Sequence, residues 1–153
     1  MIRIKTFRIT TLLLIAGFFY TTTARAQFYF GGGMKFNNNS GFKALGLNAK
    51  GAYGFNEKFD INVDATYYIA AKASWSFDFD FQYRLFNISE KVFVRPFVGL
   101  NFLRTTITEN SLSLGASLRV PAEKYTYYVE PRWILDGSMF VFSAGITYPV
   151  IER

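Results

Sequence analysis

Residues 74–84 alternate without a break: Trp75, Phe77, Phe79, Phe81 and Tyr83 share one parity, and Ser74, Ser76, Asp78, Asp80, Gln82 and Arg84 share the other. Successive side chains of a β-strand point to opposite faces, so such a strand has one aromatic face and one charged face. Five aromatics in a row need a large apolar partner, and two aspartates in mid-strand need a polar one. Which face lies inside decides what the chain can be.

Before the strands comes a different pattern. Arg3, Lys5 and Arg8 precede an apolar run from Leu12 to Tyr20, and Ala24-Arg25-Ala26 supplies small residues around a cleavage point. These are the three parts of a secretory signal peptide, spanning residues 1–26 and leaving Gln27 as the mature start. The apolar run is too short to cross a hydrocarbon core of about 30 Å. The sequence has no Cys, hence no lipid-anchoring thiol and no disulfide framework. Its net charge of +6 owes most to the leader, because Arg3, Lys5, Arg8 and Arg25 leave with it and no acid does. A mature chain close to neutral gives no reason to expect a nucleic-acid partner.

The alternation set by residues 74–84 continues through residues 27–153, which read as one domain. Eight strands follow at about 28–36, 42–55, 59–69, 74–84, 92–102, 112–120, 127–135 and 140–148, joined by short connections rich in Asn, Gly, Asp and Ser. Connections this short make neighbouring strands antiparallel, in an up-and-down order. The strands are long against the usual five or six residues and match the roughly 9–11 tilted residues that cross a membrane.

Two barrels fit eight such strands: a lipocalin-like one with the apolar face inward, and a transmembrane one with it outward. The polar parity is small as well as polar, with Gly31, Gly33, Ala44, Gly46, Gly99, Ser113, Gly115, Ser117 and Gly145 on it. A face open to water has no need to save volume, whereas the interior of an eight-stranded barrel is only wide enough for side chains to fill. Its charges also balance: Lys35, Lys50, Arg84, Arg95, Arg119 and Arg132 stand against Asp60, Asp64, Asp78, Asp80 and Glu130. An enclosed ladder of these pairs satisfies the requirement that buried charges be paired. On the apolar parity, Tyr53, Phe55, Phe59 and Phe86 gather at one set of strand ends and Tyr67, Trp75 and Trp133 at the other, as two interfacial girdles would. The only basic members of that parity, Lys43 and Arg104, sit next to turns. The expected fold is therefore all-β: an eight-stranded antiparallel up-and-down transmembrane β-barrel.

The mature chain resembles the small eight-stranded outer-membrane β-barrels of Gram-negative bacteria, the OmpA/OmpX-like group. Carrying the resemblance are Ala24-Arg25-Ala26, the Gly-rich first strand, Arg95-Pro96-Phe97-Val98-Gly99 and Val129-Glu130-Pro131-Arg132. The last two are similar to strings in short outer-membrane barrel-domain sequences, often of the Bacteroidetes type. The resemblance implies a bacterial outer-membrane location, lipid and the barrel-assembly machinery as partners, and a monomer. It also implies a periplasmic N-terminus, with outer connections at 37–41, 70–73, 104–110 and 136–138. In two respects the sequence departs from the group. Residues 149–153 follow Tyr148, where members often end on an aromatic, and no peptidoglycan-binding domain follows.

The sequence has no His and no Cys, which removes the usual nucleophile–base pairs and the usual zinc ligands. No enzyme, metal site or cofactor is expected. A membrane-integrity role with a plugged lumen comes first, and a narrow pore for small solutes or a secreted lipocalin-like carrier of an apolar ligand are the alternatives.

Overall fold

The computed structural model describes residues 27–39, 42–69, 74–89, 91–104, 108–136 and 139–150. The expected signal peptide and most of the expected outer connections lie outside these residues. Among the described residues the chain forms nine strand segments: β1 (Gln27–Asn39), β2 (Phe42–Gly54), β3 (Phe59–Ile69), β4 (Ser74–Tyr83), β5 (Phe86–Ser89), β6 (Val92–Arg104), β7 (Thr108–Pro121), β8 (Thr126–Ile134) and β9 (Met139–Pro149).

Every neighbouring pair is antiparallel, in the order β4-β3-β2-β1-β9-β8-β7-β6-β5, and β4 also pairs with β6. That last ladder, from Trp75↔Arg104 to Gln82↔Phe97, closes the sheet on itself. The short β5 continues the stave begun by β4, so the ring has eight staves. Closure gives each of the eight long strands a partner on both sides, and only the short β5 pairs on one side, with β6. Where β1 meets β9, Gly33 stands opposite Gly145. A Cβ on Gly33 would collide with the Ala144 carbonyl oxygen and one on Gly145 with that of Gly32, so the glycines let these two backbones close the ring.

The structure corrects the expected strand limits in three places. β1 runs on to Asn39, which pairs with Phe42, and so takes up most of the connection expected at 37–41. The connection expected at 104–110 is much shorter, because the β6–β7 ladder runs out to Arg104↔Thr108. The strand expected over 74–84 stops at Tyr83. There Arg84 N donates to Lys58 O at 2.7 Å, Leu85 N donates to Val94 O at 3.0 Å, and the β5–β6 register shifts between Asn87 and Ser89. Along β7–β8 the pairing lapses between Gly115↔Arg132 and Leu118↔Val129, where Pro131 has no N–H to give.

Apolar side chains face out and polar ones face in. On β4, Phe77, Phe79 and Phe81 are 46%, 47% and 43% exposed, while Asp78 and Asp80 are 1% and 0% exposed. This is the reverse of a lipocalin-like arrangement. The lower rim carries Gln27, Gly54, Phe59, Thr126 and Pro149; at the upper rim lie Ile69, Ser74, Arg104, Thr108, Ile134 and Met139.

Candidate functional site

The interior of the barrel is the candidate site, and it divides into three storeys. In the middle storey Lys35 Nζ lies 2.5 Å from Asp78 Oδ2, and Arg132 Nη1 lies 2.9 Å from Asp78 Oδ1. Arg132 also forks onto Asp80, Nη1 to Oδ1 at 2.9 Å and Nη2 to Oδ2 at 2.5 Å, while its Nη1 reaches Ser113 Oγ at 3.0 Å. Beside this cluster Lys50 Nζ bridges Glu130 Oε2 at 2.5 Å and Asp64 Oδ2 at 3.2 Å. The second oxygens of these acids accept from neutral groups: Asn101 Nδ2 donates to Asp78, Asn48 Nδ2 to Asp64 and Ser117 Oγ to Glu130. All three cations and all four acids of this storey are buried.

Such burial is tolerated because each charge has an opposite partner and hydrogen bonds besides. The size of the opposing residues makes room for it. Gly99 faces Asp80 across the β4–β6 ladder, and a Cβ there would press on the Asp80 carboxylate. Aromatic rings complete the packing, with the Arg132 guanidinium 4.7 Å from the Phe97 ring centroid and Lys50 Nζ 4.5 Å from that of Tyr128.

The upper storey is largely apolar: Ala44, Tyr68, Leu103, Ile134, Met139 and Val141 form one buried cluster under the upper rim, with the polar Asn37 and Ser74 buried beside them. Its members are a finding beyond the charged residues singled out from sequence. So is Phe97, which lies in the lumen and not on the outer face. They share the parity of the inward charges, but no charge among them draws attention to them.

The lower storey holds Asp60, Arg95 and Arg119. Both arginines bring Nη1 to the same oxygen, Asp60 Oδ2, Arg119 at 3.1 Å and Arg95 closer. Arg119 Nη2 also donates to Gln82 Oε1 at 2.8 Å. Arg84 is a correction to the expected ladder. It sits half-buried at the lower mouth, donates to Asn87 Oδ1 from Nε and Nη2 at 3.3 and 3.2 Å, and lies 3.8 Å above the Phe93 ring centroid. Ending β4 at Tyr83 turns Arg84 out of the inward row. The overall balance therefore hides a separation along the axis. The middle storey has one acid more than it has cations, and the lower one has an excess of arginine.

On the outside of the barrel, Tyr53 and Phe59 stand towards the lower strand ends, and Tyr67, Trp75 and Trp133 towards the upper ones. Tyr53 meets Phe55 edge-on at 5.0 Å, Phe59 packs on Phe81 and Tyr83, and Phe86 is exposed on β5. At the other end Tyr67 and Trp75 are 4.9 Å apart, and Trp133 meets Phe140 at 6.5 Å. At the lower end Tyr125 packs on both Tyr127 and Tyr148, a group not singled out from sequence.

No protein-family model matches the sequence, and no curated protein matches it. Solved structures do match in shape. A structure from the de novo design of transmembrane β-barrels has a TM-score of 0.61 at 14% identity, covering 81% of this chain and 95% of its own. The N-terminal β-barrel domain of Pseudomonas aeruginosa OprF has a TM-score of 0.61 at 10% identity, with 82% and 99% covered. Neisserial surface protein A has 0.52 at 14% identity, with 80% and 96% covered. At these identities the likeness defines the fold: an all-β, closed, eight-stranded antiparallel barrel of the kind also built as transmembrane barrels.

Proposed function

We propose that the protein is an integral β-barrel of a bacterial outer membrane, with a structural, membrane-integrity role and a lumen closed by paired charges. The observation that carries this reading is the inverted partition on β4, exposed Phe77, Phe79 and Phe81 against buried Asp78 and Asp80. Apolar side chains of this size recur over every long strand, as with Phe30, Met34, Leu47, Val63, Leu100, Leu112, Trp133 and Phe142. Soluble monomers rarely expose contiguous apolar patches beyond a few hundred Å², and a lipid bilayer is the solvent that removes the cost. Likeness to a designed transmembrane barrel and to a neisserial surface protein agrees with it.

A structural role is favoured over transport because Lys35, Lys50 and Arg132 cross the lumen to their acids, and the apolar cluster of the upper storey caps them. The interior of an eight-stranded barrel is only about wide enough for side chains to fill, so charges crossing it in this way oppose the passage of solutes. Catalysis is not part of the proposal, since the buried acids are each engaged by a cation and the sequence has no His or Cys. The experiment is expression of the full chain, separation of membranes and gel electrophoresis with and without boiling. A membrane-fraction band whose mobility changes on heating is expected; a soluble periplasmic product would overturn the reading.

A further inference from the structure

The lower mouth opens into a cavity of about 280 Å³, and Arg84, Arg95 and Arg119 line it together with Asp60. Two of the three guanidinium groups share a single carboxylate oxygen, Asp60 Oδ2. The third, Arg84, is engaged by the neutral Asn87 amide and the face of Phe93. Arg95 Nε is buried and has no acceptor. The other acid on the lining is Glu57, exposed on the turn between β2 and β3. Three cations thus meet one enclosed carboxylate, in a recess closed from above by the ion-paired middle storey.

Guanidinium groups present rigid forks of N–H donors, more than one carboxylate can satisfy, and they match the oxygens of a phosphate group in a bidentate way. A free or terminal phosphate brings three or more strong acceptor oxygens and between one and two negative charges, and a phosphodiester headgroup brings two such oxygens and one charge. The cavity has room for such a group with part of its water shell, since one water takes about 30 Å³. We propose that the lower mouth is a binding site for a phosphate-bearing anion, held between Arg84 and Arg95 with Arg119 behind them. The site depends on the closed barrel and on where these arginines sit, and not on which membrane the barrel occupies.

The same chemistry is offered by free phosphate and by an anionic lipid headgroup at the rim, and two arms separate them. In the first, the barrel refolded in a neutral detergent is titrated with inorganic phosphate at constant ionic strength and followed by calorimetry. Saturable binding is expected, weakened about tenfold or more by Arg84→Gln, which removes a donor worth ~1.4 kcal/mol or more. Lys124→Gln, at an exposed turn position, is expected to leave it unchanged. Unaltered heat-modifiability of each variant shows that the barrel has closed. In the second arm, nanodiscs of zwitterionic lipid are compared with nanodiscs containing an anionic phospholipid. Loss of phosphate binding only in the anionic discs supports the site with the headgroup as its occupant; retention in both supports free phosphate. Absence of phosphate binding in detergent and in zwitterionic discs, or equal binding by Arg84→Gln, overturns the proposal.

Discussion

Arg132 of β8 reaches across the lumen and forks onto both oxygens of Asp80 on β4, at 2.9 and 2.5 Å, while the same Nη1 also meets Asp78 Oδ1 at 2.9 Å. One guanidinium thereby ties two acids that share one strand face to a strand three staves away. Without it, two carboxylates on adjacent inward positions of β4 would face each other with Lys35 as their neighbouring cation. A plug of this kind holds only while both signs are present.

Arg132→Met is therefore expected to cost about 3–5 kcal/mol, the usual penalty for stripping one partner from a buried pair. Urea unfolding of the refolded barrel measures it. Adding Asp80→Asn to Arg132→Met is expected to recover part of the loss, because it removes the charge left unpaired. Strictly additive losses would show that the two residues do not act together.

The outer face gives a depth-dependent test. Phe79 lies midway along β4, paired with Val63 and Leu100, while Lys43 lies at the upper end of β2. Phe79→Arg is expected to destabilise the inserted barrel by about 2–4 kcal/mol, and Lys43→Glu by about 0–1 kcal/mol. Assembly yields in membranes of fixed thickness report both. Equal tolerance would contradict the assigned outer face.

Ring closure depends on the β1–β9 seam. Gly33→Val and Gly145→Val each drive a side chain into a facing backbone carbonyl. Both are expected to lose the heat-modifiable folded band. Gly51 has nothing within 4 Å of where a Cβ would stand, so Gly51→Ala is expected to be neutral or to stabilise by up to about 1 kcal/mol through the unfolded chain.

Conductance tests the plug. With Lys35, Lys50 and Arg132 in place, planar-bilayer recordings are expected to show no steady, high-conductance openings. Replacing Arg132 and Asp80 together by Ala is expected to admit small-ion leakage, because the bidentate pair that spans the lumen is gone. Steady large openings of the unaltered protein would refute the closed lumen.

The alternation on β4 was readable because a period of two is local: Trp75 and Asp78 announce their faces without knowledge of any partner. Balance of the inward charges was readable for the same reason. Pairing was not, because Lys35 meets Asp78 from 43 positions away and Lys50 meets Glu130 from 80. Those distances along the chain are set by register and barrel tilt, which no single strand encodes. Arg84 went astray because parity assumes an unbroken strand, and β4 breaks at that residue. Phe97, Leu103 and Met139 were on the inward parity too, yet an apolar residue on a polar face gives no sign of whether it packs inside or ends a strand.

The central claim, an apolar outside against lipid and a charged inside, is tested most directly by the two tryptophans. Trp75 and Trp133 are the sole tryptophans in the sequence, both lie at the upper end of the outer face, and both are close to half exposed. In bilayers of lipids brominated at chosen acyl positions, their fluorescence is expected to be quenched strongly, and most by bromines near the headgroups. Aqueous iodide is expected to quench little. Strong quenching by iodide with none by brominated lipid would show these side chains facing water and would contradict the account.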